Sequence, residues 1–313
     1  MSSRPAIRTI SRSDLMTWRE TLDRTAAYLA GKNVPDAAVA AELLAARLLK
    51  CGRGFLSPHL SETPPERHLE ALRRAMSRLA KGEPIQYVLG EWDFRSLTLA
   101  CDRRALIPRP ETEELVTRAL AFLRRRPAGA PPPVVVDVGT GTGCIALSLA
   151  SEYAGEAAFI GLDVSPDAVA LATSNAARCG LSDRVRFVVA DGLDDFDEPD
   201  SVDVIVSNPP YIPTAECASL DPRIRDWEPR LALDGGMDGL DFYERFVPDA
   251  MNVLKSGGGL FFEIGDGQGP ALRKMLFDCG FDDIRIEKDY AGHDRYAFAR
   301  NLQMKNCRNE VTQ

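Results

Sequence analysis

Between residues 134 and 300 the chain alternates short, continuously apolar runs with longer stretches of helical periodicity, and nothing else constrains its fold as much. The expected strands are Val134–Val138, Ala158–Asp163, Val185–Ala190, Val202–Ser207, Gly259–Ile264, Asp283–Glu287 and Arg295–Arg300. Helices fit between them at Cys144–Tyr153, Pro166–Gly180, Leu240–Leu254 and Gly269–Cys279. A strand with no polar alternation needs cover on both faces. In a βα repeat that means a parallel sheet between two layers of helices, an α/β fold. The short link between the last two strands suits an antiparallel edge.

Upstream the pattern changes. From Ser13 to about Lys81 apolar residues recur at helical spacing, beginning with Leu15, Trp18, Leu22, Tyr28 and Leu29. Pro35-Asp36 opens a second helix, Ala38 to Leu49, and Glu66 to Leu79 forms a third before Gly82-Glu83-Pro84. Tyr87–Phe94 and Leu97–Ala100 read as two strands around a turn. Ile107 to Glu113, with prolines and acids together, then starts a helix that runs to about Arg126, and residues 127–133 form a connector. The expected organisation is a helical domain at 1–82, a hairpin linker at 83–108, the α/β domain at 109–300 and a frayed tail at 301–313.

Composition narrows the class. With 45% apolar and 27% charged residues, no run long enough for a membrane span and no secretory leader, a soluble cytoplasmic protein is expected. The 7 cysteines are scattered without a C-x-x-C, which suits reduced thiols and not a disulfide framework or a zinc site. Residues 1–90 carry 14 Lys and Arg against 9 Asp and Glu, within a chain of net charge −8. A basic module on an acidic body can orient an acidic partner, and a solvated amphipathic helical domain has the same composition.

Four strand ends carry chemistry. The first strand runs into Asp137-Val138-Gly139-Thr140-Gly141-Thr142-Gly143, with a helix at once behind it. Glycines there let backbone approach a ligand at the carboxyl ends of the strands, as a dinucleotide site also would. Asp163 ends the second strand, where a carboxylate can take ribose hydroxyls. Asp191 ends the third, within reach of an adenine amino group, with Gly192 after it. Three such ends in succession point to a nucleoside.

The fourth strand ends in Ser207-Asn208-Pro209-Pro210-Tyr211-Ile212. An amide nitrogen or an exocyclic aromatic amine is a poor nucleophile because its lone pair is delocalised. The Asn208 side-chain oxygen and the Pro209 carbonyl can accept both N–H groups of such an NH₂, aim its nitrogen, and stabilise positive charge developing there. Pro210 contributes no competing N–H, and Tyr211 can stack on a flat amide or base. The three histidines, His59, His68 and His293, lie outside these motifs. The chemistry requires neither a general base nor a metal.

With these motifs the chain resembles the HemK/PrmC family, the peptide chain release factor glutamine-N5 methyltransferases. The matching residues are Gln86–Gly90, Leu106–Glu113, Asp137–Gly143, Ser207–Ile212, Glu228-Pro229, Asp234–Leu240 and Glu263-Ile264-Gly265. The tetrad Asn208–Tyr211 is shared with adenine-N6 DNA methyltransferases, whereas Pro108–Glu113 with Gly235–Leu240 is more specific. The resemblance implies a Rossmann-like class I S-adenosylmethionine-dependent methyltransferase sheet with a small N-terminal helical domain. It implies S-adenosylmethionine as donor and class 1 peptide chain release factors as partners of a monomeric enzyme. The donor site expected is Gly139, Thr140, Gly141, Thr142, Gly143, Asp163, Asp191, Gly192 and Asn208, with the glutamine held by Asn208–Tyr211. Some members place an aromatic residue where this chain has Gly192, so Leu193 or another side chain is expected to cover the adenine. Arg109 and Glu111 could bind a ligand or simply pair, and residues 228–240 could line the substrate groove or form a surface excursion.

Two other functions fit parts of the pattern. Adenine-N6 methylation of a nucleic acid would use the same tetrad on a flipped base, but the net charge of −8 and the lack of a basic, aromatic-rich recognition domain oppose it. A non-catalytic, ribosome-associated cofactor-binding module would have no use for an intact tetrad.

Overall fold

A computed structural model describes residues 16–302 except 128, 195 and 197. The expected helix start at 13–15 and the tail beyond 302 lie outside the described residues. The chain divides into two compact units between Leu89 and Gly90.

The first unit holds α1 (Trp18–Ala30), α2 (Ala37–Leu49), α3 (Glu66–Leu79) and a short α4 (Ile85–Leu89). Thr17 starts α1 with a capping box. Its hydroxyl accepts from the Glu20 N–H at 3.4 Å, and the Glu20 carboxylate accepts from the Thr17 N–H at 2.8 Å. Leu29, Leu44, Leu72 and Leu79 meet in one small core, each contributing roughly 1.5–3 kcal/mol by burial. Tyr28 is exposed, because the buried stripe of α1 runs Trp18, Thr21, Thr25, Leu29 and leaves it to one side. The strand expected from Tyr87 begins only at Glu91. Its first residues are helical instead, with the Val88 N–H donating to the Pro84 carbonyl at 3.1 Å. Pro84 stands immediately before the helix, with its φ restricted and its carbonyl taking the first helical hydrogen bond, and the turn so started overrides the strand preference of Tyr87 and Val88.

The second unit opens with the antiparallel hairpin β1 (Glu91–Phe94) and β2 (Leu97–Ala100), followed by α5 (Pro110–Leu123). Then come β3 (Val134–Val138), α6 (Cys144–Glu152), β4 (Ala158–Asp163), α7 (Pro166–Cys179), β5 (Val185–Val189) and β6 (Val202–Ser207). The short α8 (Thr214–Cys217) and α9 (Pro222–Arg225) precede α10 (Asp241–Val253), β7 (Leu254–Glu263), α11 (Gly269–Asp278), β8 (Asp282–Lys288) and β9 (Asp294–Arg300). The seven-stranded sheet has the order β5-β4-β3-β6-β7-β9-β8. The pairs from β5 to β7 are parallel, and β9 is antiparallel to both β7 and β8. The late strands thus pair as expected, but β9 lies inside the sheet and β8 forms the edge. β7 begins at Leu254, ahead of the expected Gly259: Leu254 pairs with Val202 and Gly259 with Val204, so residues 255–258 of β7 bulge out of the ladder with β6.

Both faces of the sheet are covered. Val135, Val204, Val206 and Phe261 face α5 and α6 through Leu115, Leu120, Ile145 and Leu149. Their neighbours Val136, Ile205, Leu260 and Phe262 face α10 and α11 through Tyr243, Phe246, Val247 and Leu272. Alternate residues of one strand therefore enter two different cores, which is why the strands read as unbroken apolar runs. From β3 the chain winds outward through β4 to β5, then returns to β6 on the other side of β3. The strand order reverses between β3 and β6, and a crevice opens there at the carboxyl ends.

Candidate active site

The Ser207 hydroxyl donates to the Val138 carbonyl at 2.7 Å and ties the end of β6 to the end of β3. The glycine loop and the tetrad leave the sheet side by side at this point. The loop is anchored by the Thr140 N–H on the Leu162 carbonyl (2.8 Å) and the Thr140 hydroxyl on the Asp137 carboxyl (2.6 Å). Asp137 is buried, and burial pushes its carboxyl up to about 7. Each oxygen of Asp163 accepts one backbone N–H, from Gly141 and from Ser165, both at 2.9 Å. Burial raises the pKa of Asp163 against these two bonds.

A cavity of about 340 Å³ lies over these strand ends. Gly139, Thr140, Gly141, Thr142, Asp163, Asp191, Gly192, Asn208 and Pro210 all line it. Gly143 does not. A Cβ there would press on Phe187, Leu147 and Ala172, so this glycine serves the packing of α6. At Gly139, φ is +71° and a Cβ would point into open space, so the bare backbone faces the cavity. Both carboxylate oxygens of Asp191 accept from Arg245, at 2.6 and 2.9 Å, so a ligand amine would have to share them. Leu193 is buried in the core beside Phe246 and covers nothing. The apolar wall is made by Phe242, Leu231, Val164 and Ala190. A largely apolar, glycine-floored cavity with carboxylates at two strand ends fits the adenine and ribose of S-adenosylmethionine.

Of the tetrad, Asn208 and Pro210 line the cavity and Pro209 is buried. Tyr211 packs against the core on the α10 side, and its hydroxyl accepts from Arg295 at 3.4 Å. Burial pushes this phenol up to about 12. The Asn208 NH₂ donates to the Thr112 hydroxyl at 3.1 Å, and that hydroxyl donates to the Glu263 carboxylate at 2.7 Å. Thr112 and Glu263 are buried. Thr112 and Glu263 each lie in a sequence motif, but nothing local shows that they converge on Asn208, because it is the packing of α5 against the ends of β6 and β7 that brings them together.

Residues 228–240 form a bed under the tetrad as well as a cavity wall. The Ile212 N–H donates to the Leu233 carbonyl (3.0 Å), and the Gly235 N–H returns to the Ile212 carbonyl (2.8 Å). A Cβ at Gly235 or Gly239 would stand closer than 3.0 Å to the Pro210 or Tyr211 carbonyl oxygen. The Gln268 side chain clamps this contact, donating to the carbonyls of Tyr211 (2.9 Å) and Gly239 (3.1 Å) while accepting from the Gly265 N–H (2.8 Å). At the head of the bed, buried Glu228 accepts from the Ile107 N–H (3.0 Å) and from Arg109 (2.5 Å). Arg109 therefore pairs and also lines the cavity, whereas Glu111 is exposed and offers its backbone carbonyl to the Tyr296 hydroxyl.

Comparison with known proteins places the chain in a family. A family model described as a methyltransferase domain matches residues 133–273, and one described as a PrmC N-terminal domain matches residues 20–90. A release factor glutamine methyltransferase of Geobacter sulfurreducens is 40% identical over 287 residues, covering 92% of this chain and 98% of that protein. One of Chlorobaculum tepidum is 39% identical over 283 residues, covering 88% and 94%. Among solved structures, the hMettl16 catalytic domain in complex with a MAT2A 3′UTR hairpin superposes with a TM-score of 0.52 at 18% identity, over 74% of this chain and 83% of that one. At that identity the likeness concerns the fold alone. No helix among the described residues is long and apolar enough to cross a membrane.

Proposed function

The chain belongs to the release factor glutamine methyltransferase family, and we propose that it transfers a methyl group from S-adenosylmethionine to the side-chain amide nitrogen (N5) of the glutamine in the Gly-Gly-Gln motif of class 1 peptide chain release factors. S-adenosylmethionine, when bound, supplies an electrophilic methyl group on a sulfonium centre. Gly139–Thr142 and Asp163 would hold its amino-acid and ribose parts, and Asp191 and Gly192 would meet its adenine. The Asn208 oxygen and the Pro209 carbonyl accept the two N–H groups of the glutamine amide. Held so, the nitrogen would be aimed at the donor side of the cavity, and two oriented dipoles would stabilise the charge it develops. Pro210 keeps the backbone free of a competing donor, and Tyr211 shapes the substrate side of the loop. The methylated amide then loses its proton to water.

The observation that carries this reading is the orientation of Asn208. Its NH₂ is engaged by Thr112, which leaves its oxygen to accept from a substrate in the cavity that Asn208 and the glycine loop both line. Residues 1–82 are assigned to docking the factor. The same reading makes the protein a cytoplasmic monomer that acts on protein and not on nucleic acid. The test is methyl transfer from labelled donor to a release factor and to DNA, with the wild type and Asn208→Ala. The factor is labelled, DNA is not, and Asn208→Ala lowers kcat about 10²–10³-fold with a much smaller change in donor affinity. Near-normal turnover by Asn208→Ala would overturn the mechanism, and labelling of DNA but not of the factor would overturn the substrate.

A further inference from the structure

Asparagine is a difficult residue on which to rest such a mechanism, because the two ends of its amide have nearly the same shape. Turned by half a revolution about χ2, Asn208 would offer an NH₂ where the substrate needs an acceptor. Something must choose the end.

The chain Asn208–Thr112–Glu263 makes the choice by counting protons. An ionised carboxylate has no proton to give, so across the 2.7 Å contact with Glu263 the Thr112 hydroxyl must donate. That hydroxyl has one proton and has now used it. Toward Asn208, 3.1 Å away, it can only accept, and only the NH₂ end of the amide can satisfy it. We propose that Glu263 and Thr112 are positioning residues, which fix the amide of Asn208 with its oxygen toward the substrate glutamine. The inference rests on the role of Asn208 given above.

Three further observations support it. The three residues come from the first turn of α5, the end of β6 and the end of β7, so the arrangement is built by the tertiary fold. Thr112 and Glu263 are each 2% exposed, which leaves water little chance of replacing either partner. The Tyr243 hydroxyl donates to the Glu263 backbone carbonyl at 2.9 Å and fixes the strand end that carries the carboxylate.

A pH dependence follows. Burial pushes the Glu263 carboxyl up to about 7, Thr112, Arg295 and Arg109 pull it down, and Glu111 pushes it up. Tyr211, Tyr243, Tyr296 and Cys144 also face it, with their own pKa values raised by burial. Once protonated, Glu263 can donate to Thr112. The threonine proton is then released toward Asn208, where it favours the amide oxygen and the turned-over, unproductive end. Turnover should rise with pH as Glu263 loses its proton.

The experiment is single-turnover methylation of a Gly-Gly-Gln-containing release factor across this pH range by wild type, Thr112→Val, Thr112→Ser and Glu263→Gln. Donor affinity and the Asn208 side-chain amide resonances of ¹⁵N-labelled protein are followed alongside. Thr112→Val should be slower by about tenfold in kcat, one hydrogen bond's worth, with donor affinity and KM within about twofold. Thr112→Ser should recover the rate, Glu263→Gln should lose the rise with pH, and the Asn208 resonances should move in Thr112→Val. Wild-type turnover by Thr112→Val, a Thr112→Ser as slow as Thr112→Val, or a pH rise that survives Glu263→Gln would each overturn the proposal. If the wild type methylates no release factor, the functional reading falls instead. Asn208 resonances unmoved in Thr112→Val would then sink the positioning role separately.

Discussion

Replacing Gly239 by alanine tests whether residues 234–239 are a rigid bed for the tetrad or a loop that merely lies near it. Two costs add. At φ +80° a Cβ strains the backbone by about 1–2 kcal/mol. The methyl would also stand closer than 3.0 Å to the Tyr211 carbonyl oxygen and the Gln268 amide nitrogen. Neither neighbour yields easily, because Gln268 holds both carbonyls and is itself held by Gly265. Overpacking of this kind costs about 1–3 kcal/mol, for a total of about 2–5 kcal/mol. Gly180→Ala is the control. It has a φ of +69° and nothing within 4 Å, so it carries the first cost alone. Urea unfolding of both variants isolates the contact as the difference, about 1–3 kcal/mol. If the clash is relieved by moving Tyr211 and the tetrad, a shift of about 1 Å should cost roughly 10²-fold in single-turnover methyl transfer. Gly180→Ala should turn over normally. A Gly239→Ala enzyme no less stable than Gly180→Ala and as fast as wild type would refute the bed.

Asp163→Ala removes a carboxylate that accepts two loop N–H groups and is assigned to the donor ribose, so donor affinity should fall about ten- to a hundred-fold. Unchanged affinity by calorimetry would take Asp163 out of the site. Asp137 offers a pH test, with its folded pKa raised to about 7 above an ordinary value of 3.8. Between those values the unfolded chain is ionised there while the folded chain keeps a proton, so Asp137 makes stability fall as pH rises. Asp137→Asn should flatten that slope by at most about 1.4 kcal/mol per pH unit, and parallel slopes for wild type and variant would show that no proton is held there.

Much of the fold could be read from sequence because each strand reports its own surroundings. Val204–Val206 is a continuous apolar run, and every position of the strand Val202–Ser207 that holds it is buried. The tetrad was legible for a related reason, since Asn208 follows directly on that strand and strand ends are where such sheets bind ligands. Contacts between distant segments left no local trace. Glu263 reaches Thr112 across 151 positions, and Gln268 reaches Tyr211 across 57. Asp191 was legible as a strand-end acid, but its pairing with Arg245 depends on how α10 crosses the sheet. The interior place of β9 was equally hidden, because a short link fixes which strand pairs with which and not which of the two lies outside.

That placement bears on how the chain acquires activity during synthesis. β7 and β8 leave the ribosome before β9; β7 can pair with β6 on one side, but its other edge and the whole of β8 have no ladder partner until β9 enters between them. Glu263 pairs with Tyr296 of β9, so the strand carrying the Asn208 support is completed only when this final described strand arrives. Vectorial folding can finish β3 through β7, with the glycine loop and the tetrad in place, and still leave the outer edge of β7 open. A chain interrupted before Asp294 would not be a weaker enzyme. It would expose the edge of β7 as a template for another strand, and its fate would be pairing with a neighbour or capture by a chaperone.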